Sequence, residues 1–229
     1  LLFGKEKTLL TVNGANVSFR QSGEKSYSVF SLLAEQRLGN YQWLRFGYVL
    51  APDILLRYYR DRDSITTDRH LAAFSNEIIY FTYSFPVYKK TWLRFKPRLN
   101  RQYYNRHFTE YDTDVSSIEI RAYSRLIPKT KISGWVSRGE GNNISFSDGL
   151  ISTGHDRSYG MTVYGGQLNY YPDHLFEMIS FTASADIRNY ESELAEDPLH
   201  TGRDHLDYTT SLALYKKLPG DLSVRAQIK

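Results

Sequence analysis

The chain of 229 residues has no cysteine, only two methionines and no long apolar segment. The absence of cysteine excludes a disulfide framework and a metal site built on thiolates. No segment approaches the ~18 consecutive apolar residues of a transmembrane helix, which excludes a helical membrane protein. The mean hydropathy is -0.48, a value that suits strands in which only every second side chain faces apolar surroundings.

Acidic residues are slightly fewer than basic ones, with 25 Asp and Glu against 29 Lys and Arg and a net charge of +4. This excess admits an acidic partner but falls short of a nucleic-acid patch, so we expect no nucleic-acid partner. Aromatic residues make up 15% of the chain, which favours strands over disorder. The length suits one all-β domain over residues 1–229, and the charged first ten residues argue against a signal peptide, so we expect a mature form or a fragment.

Strict alternation of apolar and polar residues is the main pattern, and helical spacing does not fit it. In residues 116–127, Ile118 and Ile120 lie on one predicted face, while Glu119 and Arg121 lie on the other. The pattern predicts about twelve antiparallel strands, of which the second also suits a short helix. The predicted strands are residues 8–20, 25–37, 41–51, 53–61, 70–85, 91–103, 114–126, 131–138, 158–170, 174–189, 206–216 and 221–229.

Short and long connections alternate between these segments. Each short connection contains proline, which fixes φ for a tight turn, whereas the long ones are polar loops. The predicted short turns are residues 51–53, 85–89, 127–130, 171–174 and 218–221, and the predicted long loops are residues 60–70, 104–114, 138–157 and 190–206.

Strand length and aromatic placement favour a membrane over a soluble sandwich. Several segments alternate for about 10–13 residues, whereas soluble strands average ~5–6 and a tilted membrane strand needs ~9–11. Tyr and Trp lie near predicted strand ends, as at Tyr58-Tyr59 and Tyr103-Tyr104, where a headgroup region suits an apolar ring with a polar tip. Since a sheet crosses a bilayer only when it is closed, the predicted fold is a transmembrane antiparallel up-and-down β-barrel.

With these features the chain resembles bacterial outer-membrane β-barrel proteins of the porin-like kind. The resemblance is architectural and covers nearly the whole chain from about residue 8. It implies a place in the bacterial outer membrane, contact with outer-membrane lipid, short turns toward the periplasm and long loops toward the exterior. Such barrels commonly end in an aromatic residue, whereas this chain ends in Ile228-Lys229, so either strands are missing after Lys229 or the barrel does not use that assembly signal. The total strand number is left open, as is a partner subunit or homo-oligomer.

If the polar face of each strand lines a lumen, that lumen is predicted to be basic, with only Glu119 and Asp186 as counter-charges. Charges of one sign in a narrow tube concentrate counter-ions. We therefore expect a channel, not an enzyme, for anionic or polar solutes such as an acidic polysaccharide. The alternative is that these cations pair with neighbouring carboxylates and fill the lumen. The predicted lumen residues are Arg45, Arg57, Arg94, Lys96, Arg98, Arg121, Arg125, Arg188, Arg225 and Lys229.

Three groups of residues carry weaker chemical signals. One resembles a hydrolase fragment, one the rim of an aspartate-and-histidine surface protease, and one a carboxylate site for a divalent cation. None has the spacing of an established motif, so we expect no catalytic residue, metal or cofactor. In that order, the groups are His155-Asp156-Arg157-Ser158; Asp61, Asp63, Asp112, Asp114, His70 and His107; and Glu191, Glu193, Glu196 and Asp197.

Two other functions remain open at this point. One is an outer-membrane enzyme or a secretion or assembly barrel whose soluble domain has been cut away. Conductance in planar bilayers, set against hydrolysis of lipid or peptide substrates, would distinguish it from a channel. The other is a soluble β-protein that binds a polyanion through basic residues interleaved with aromatics, as in Trp92-Leu93-Arg94-Phe95-Lys96. Solubility without detergent would favour this last function.

Overall fold

The computed structural model describes residues 8–19, 23–61, 68–146, 155–172, 175–192, 202–217 and 223–228. These residues form one antiparallel sheet of 11 strands and two short 3-10 helices, which confirms the prediction of an all-β antiparallel chain. The elements are β1 Thr8–Val17, η1 Gly23–Lys25, β2 Tyr27–Gly39, β3 Gln42–Arg60, β4 Arg69–Tyr88, β5 Thr91–Tyr104, η2 Thr109–Tyr111, β6 Thr113–Ser124, β7 Thr130–Asn143, β8 Tyr159–Tyr170, β9 Met178–Tyr190, β10 Asp204–Lys217 and β11 Ser223–Ile228.

The strands follow one another across the sheet in chain order, so the connectivity is up-and-down. Within the described ranges, β1 pairs with β2 alone and β11 with β10 alone. The closed barrel expected from the sequence is therefore not formed by these residues, which make an open sheet. No helix in the described part of the chain is long and apolar enough to cross a membrane.

The described residues form eleven strands where the sequence predicts about twelve, because residues 41–51 and 53–61 belong to one strand, β3. At the predicted turn, the pairing passes from Ala51 opposite Asn76 to Ile54 opposite Phe74, so β3 takes up one extra residue without reversing. A proline interrupts the strand hydrogen bonds at a bulge as well as at a turn. Asp53, which lies within the bulge, has a positive φ of 54°. The ambiguous segment β2 is a strand and not a helix.

Other boundaries shift by a few residues. Pro86 lies inside β4 opposite Trp92, so the turn predicted at 85–89 is confined to Lys89 and Lys90. Strand β7 continues to Asn143, well beyond its predicted end. The turn predicted at 127–130 is confirmed between β6 and β7. The turns predicted at 171–174 and 218–221 fall partly or wholly outside the described residues.

In a soluble sheet the apolar side chains are buried and the polar ones are exposed. In this sheet the apolar side chains are the exposed ones, and the polar side chains opposite them are buried. On β9, Phe181 is 49% exposed while its neighbour Ser180 is 5% exposed. On β7, Ile132 is 43% exposed and Ser133 is 4% exposed. We call the side that carries Phe181 and Ile132 the apolar face and the opposite side the polar face. The sheltered interior of this fold therefore lies against the polar face.

Glycines opposite aromatic residues let rings lie flat on the polar face. Gly47 pairs with Tyr80, and Gly165 pairs with Trp135. A Cβ added at either glycine would lie 2.0 Å from the partner ring. Any larger residue would therefore push the ring away from the sheet.

The β3–β4 hairpin is longer than its neighbours, with strands of 19 and 20 residues. At ~3.3 Å per residue such a strand spans about 60 Å, roughly twice the hydrocarbon thickness of a bilayer. The last β4–β5 pair is Phe74 with Tyr104, so residues 69–73 run beyond β5. We call this end of the sheet the loop end, and the opposite end, which carries the β2–β3, β4–β5 and β6–β7 turns, the turn end.

Candidate functional site

A cavity of about 640 Å³ opens on the polar face near the turn end. Its lining comes from strands β2 to β7 and their turns, so the sheet curls toward the polar face around it. Five cationic side chains and four aromatic rings dominate the lining, and no carboxylate takes part among the described residues. We call it the turn-end basin, lined by Arg37, Arg45, Arg94, Arg125, Lys131, Tyr41, Trp43, Trp92, Tyr123, Asn40 and Ser84.

A stack of three rings supports the basin. Trp92 lies between Tyr41 and Tyr123, with ring centroids 4.8 Å and 5.0 Å away and interplanar angles of 17° and 8°. Trp92 and Tyr123 are each 8% exposed. Tyr41 reaches the stack from the β2–β3 turn with a φ of 60°. A positive φ costs a non-glycine residue about 1–3 kcal/mol, which the stacking contact, worth about 0.5–1.5 kcal/mol, offsets in part.

Cations lie over these rings. The Lys131 ammonium is 4.8 Å from the Tyr123 centroid, and the Arg125 guanidinium is 5.7 Å from the Trp92 centroid. The Arg94 guanidinium is 5.4 Å from the Tyr123 centroid. Cation–π contacts hold a positive group in place without neutralising its charge. Arg125 and Lys131 make no ion pair with any residue in the described ranges, so their charge faces the basin uncompensated.

Beside the basin the cations are ion-paired. Glu119 accepts hydrogen bonds from Arg94 at 2.7 Å and from Arg121 at 3.2 Å. The Arg121 guanidinium also lies 4.0 Å from the centroid of the Trp135 ring. These three charged side chains are only 17–18% exposed. One carboxylate thus serves two guanidinium groups, which leaves positive charge in excess.

The expectation that only Glu119 and Asp186 oppose the basic residues is wrong. Glu35 forms an ion pair with Arg45 on the same face. Asp207 lies directly opposite Asp186 and therefore also on the polar face. The sequence count missed both because their strands were not assigned a polar side. The polar face is consequently less basic than the sequence suggested.

The structure brings together only part of the predicted lumen set. Arg45, Arg94 and Arg125 line the basin. Lys96, Arg98 and Arg121 continue along the polar face, where Lys96 lies opposite Glu119 and 4.6 Å from the Tyr80 centroid. Sequence reasoning missed Arg37 and Lys131, which lie at predicted strand ends. The signal that could have identified Lys131 is its spacing from Trp135. The two residues are four positions apart in β7, so the strand period of two places them on the same, polar face.

The remaining predicted lumen residues lie elsewhere. Arg188 forms an ion pair with Asp186 at 3.0 Å on β9. Arg57 is exposed near the loop end, 4.5 Å from the Tyr59 centroid. Arg225 pairs through its backbone opposite Tyr215. The Arg225 side chain and all of Lys229 lie outside the described part of the structure.

Residues 155–158, which resemble a hydrolase fragment, contact η2 at the loop end. Arg157 is 6% exposed. Its Nη1 donates to the Glu110 carbonyl at 3.1 Å and to the His155 carbonyl at 3.2 Å. Its guanidinium lies 4.7 Å from the Tyr111 centroid. These contacts anchor η2 to the start of β8 and give Arg157 a structural role.

The predicted rim residues that the structure describes do not form a single group, since Asp112 and Asp114 lie apart from the other three. Asp61, His70 and His107 come together at the tip of the long hairpin. Asp112 lies apart from them, where its Oδ1 accepts a hydrogen bond from the Tyr104 amide at 2.5 Å. Burial raises the pKa of Asp112 above its usual value, and that hydrogen bond opposes the rise. Asp63, Glu193, Glu196 and Asp197 lie outside the described residues.

The basin thus offers a fixed aromatic support, five cations and no described carboxylate in its lining. Guanidinium groups donate paired hydrogen bonds to carboxylates, sulfates and phosphates, so the chemistry suits an anion. Comparison of the chain with protein-family models, with curated proteins and with solved structures found no match.

Proposed function

We propose that this chain forms the wall of a bacterial outer-membrane β-barrel whose polar face lines a pathway for anionic or polar solutes. The observation that carries the proposal is the inverted burial of the sheet. Ile120 and Phe181 are each 49% exposed, and burying such a side chain is worth about 1.5–3 kcal/mol in water. An apolar face of this extent is unfavourable in water, whereas outer-membrane lipid would cover it in a bilayer.

A bilayer also requires each backbone N–H and C=O to have a partner within protein. The proposal therefore requires the outer edges of β1 and β11 to be paired. They would pair with each other, with a further segment, or with a partner subunit or second copy.

The proposed solute preference follows from the turn-end basin. Arg125 and Lys131 carry charge that no described carboxylate neutralises, and a low-dielectric wall focuses the resulting potential. Small anions and acidic polysaccharides such as uronic-acid polymers share the carboxylate or similar group that these cations would bind. The resemblance to outer-membrane barrels would place the basin at the periplasmic mouth, where an exported polymer enters.

Tryptophan fluorescence tests the membrane face. All three tryptophans, Trp43, Trp92 and Trp135, lie on the polar face. In vesicles of brominated phospholipid we expect weak quenching of the natural protein and strong quenching of the added fluorescence in Phe181→Trp. Thr209→Trp, on the polar face of β10, is the matched control and should be quenched weakly. Equal quenching of Phe181→Trp and Thr209→Trp would overturn the membrane face.

Conductance tests the pathway. In planar bilayers with a KCl gradient we expect a reversal potential of the sign that indicates anion preference. The double variant Arg125→Glu and Lys131→Glu should reduce that preference or invert it. Arg57→Glu, which changes charge by the same amount per site but lies outside the basin, should leave it nearly unchanged. Cation preference that does not respond to the double variant would contradict the proposal.

A further inference from the structure

Three potential metal ligands from separate segments meet at the loop end. Asp61 follows the last residue of β3, His70 lies in β4, and His107 lies between β5 and η2. One potential ligand atom from each lies within 4.8 Å of the other two. In the described part of the chain, this is the one group of three such side chains that could hold a metal ion.

The distances are close to those of a coordination shell. His107 Nδ1 and Asp61 Oδ2 are 3.0 Å apart, and the two imidazole rings are stacked with centroids 4.0 Å apart. Tetrahedral zinc, with ligand bonds of ~2.0–2.1 Å, separates ligand atoms by about 3.4 Å. The His107–Asp61 spacing needs almost no change. One imidazole has to rotate out of the parallel stack to direct its lone pair at the same ion.

The backbone around these ligands is held without a metal. The Asn105 amide donates to the Ala73 carbonyl at 2.9 Å, and its side-chain nitrogen donates to the Leu71 carbonyl at 2.5 Å. Phe108, which is 3% exposed, packs against Tyr59 with ring centroids 6.2 Å apart. These contacts fasten the segment that carries His107 to both strands of the long hairpin, so the backbone that carries the ligands is preorganised.

We propose that Asp61, His70 and His107 bind one divalent transition-metal ion, with Zn²⁺ as the best-fitting species. The metal would bind His107 through Nδ1, and the ring proton would move to Nε2, which ends the hydrogen bond that Arg106 Nε donates there at 3.2 Å. His70 would supply the third ligand. Imidazole nitrogens favour zinc over magnesium and calcium, which prefer all-oxygen sites. Three protein ligands leave a fourth position for water or a ligand. The inference is independent of the membrane proposal.

Zinc titration of the folded full chain in detergent tests this inference. By calorimetry at neutral pH we expect one Zn²⁺ per chain, and by absorption Co²⁺ should show the visible bands of a tetrahedral site. His70→Phe keeps a ring to stack on His107 but removes the ligand nitrogen, and Asp61→Asn removes the carboxylate charge. Each should weaken Zn²⁺ binding by at least about tenfold.

His205 provides the matched control. Its Nε2 lies 3.0 Å from Asp207 Oδ2, the same spacing as in the His107–Asp61 pair, but it belongs to no described group of three. His205→Asn should therefore leave Zn²⁺ affinity unchanged. Far-UV circular dichroism establishes that each variant remains folded, and the two cluster substitutions provide separate measurements if one variant misfolds. Affinity that is unchanged by both, or no binding at micromolar Zn²⁺, would overturn the inference.

Discussion

At the turn end of the sheet, Arg125 and Lys131 lie over aromatic rings and form no ion pair with a described residue. At the loop end, Arg157 is buried, and its guanidinium donates to backbone carbonyls. A buried cation needs hydrogen-bond acceptors, and Nη1 of Arg157 has two. A cation at the edge of an open cavity keeps its charge available to a ligand. The comparison indicates that sheltered polar groups secure the loop end, whereas those of the turn-end basin are suited to binding.

The largest expected effect is on the loop end. Arg157→Leu removes two hydrogen bonds from a charged donor and the contact with Tyr111, and it leaves the Glu110 carbonyl without that donor. We expect a loss of about 3 kcal/mol in the free energy of unfolding. Urea unfolding in detergent, followed by near-UV circular dichroism, measures the change. Arg57→Leu, at an exposed site, should cost less than about 1 kcal/mol, and equal effects would contradict the comparison.

A second substitution tests the polar face beside the turn-end basin. Gly165→Val introduces a residue that favours strands, but its Cβ would lie 2.0 Å from Trp135, whose ring supports Arg121. We expect a loss of about 2 kcal/mol from overpacking, together with a shift in tryptophan emission. Gly160→Val in the same strand has open space around the new Cβ and should be neutral or slightly stabilising. A stable Gly165→Val variant with unchanged emission would show that the flat ring does not matter.

The smallest expected effect is pH-dependent and belongs to the loop end. Because burial raises the pKa of Asp112 in the folded state, the folded protein binds that proton more tightly than the unfolded chain. Stability from this group is present below the usual carboxyl pKa and is lost as pH rises through the folded value. Asp112→Asn should therefore raise the free energy of unfolding at neutral pH by less than about 1 kcal/mol. A slightly higher melting temperature would show this change. The difference should disappear near pH 3, and a destabilised variant at neutral pH would contradict the expectation.

Much of the fold followed from local pattern. Alternation in residues 116–127 identified β6 and separated Ile118 and Ile120 from Glu119 and Arg121, as the register confirms. Proline was less informative, because Pro52 lies at a bulge and Pro86 inside a strand. A missing N–H interrupts hydrogen bonding without specifying whether the chain turns, so the strand boundaries required tertiary pairing.

The candidate sites followed only in part. The sequence identified Arg45, Arg94 and Arg125 as polar-face residues. It could not show that these three line the basin while Arg57 does not, because strand register decides which residues of neighbouring strands lie side by side. It predicted that Asp61, His70 and His107 lie at one rim, but their spacing along the chain matches no metal-binding motif. His107 and Asp61 are 46 residues apart, and no local motif spans such a separation.

What the sequence alone determined is the period of two, and with it the strands, their antiparallel succession and the side of the sheet on which most charged residues lie. These properties depend on neighbouring residues and on the alternation of side chains along an extended backbone. Only the tertiary structure decided which cations meet carboxylates, which face is sheltered and that the sheet of described residues remains open. Such outcomes depend on strand register, bulges and curvature, which bring together residues that are distant along the chain.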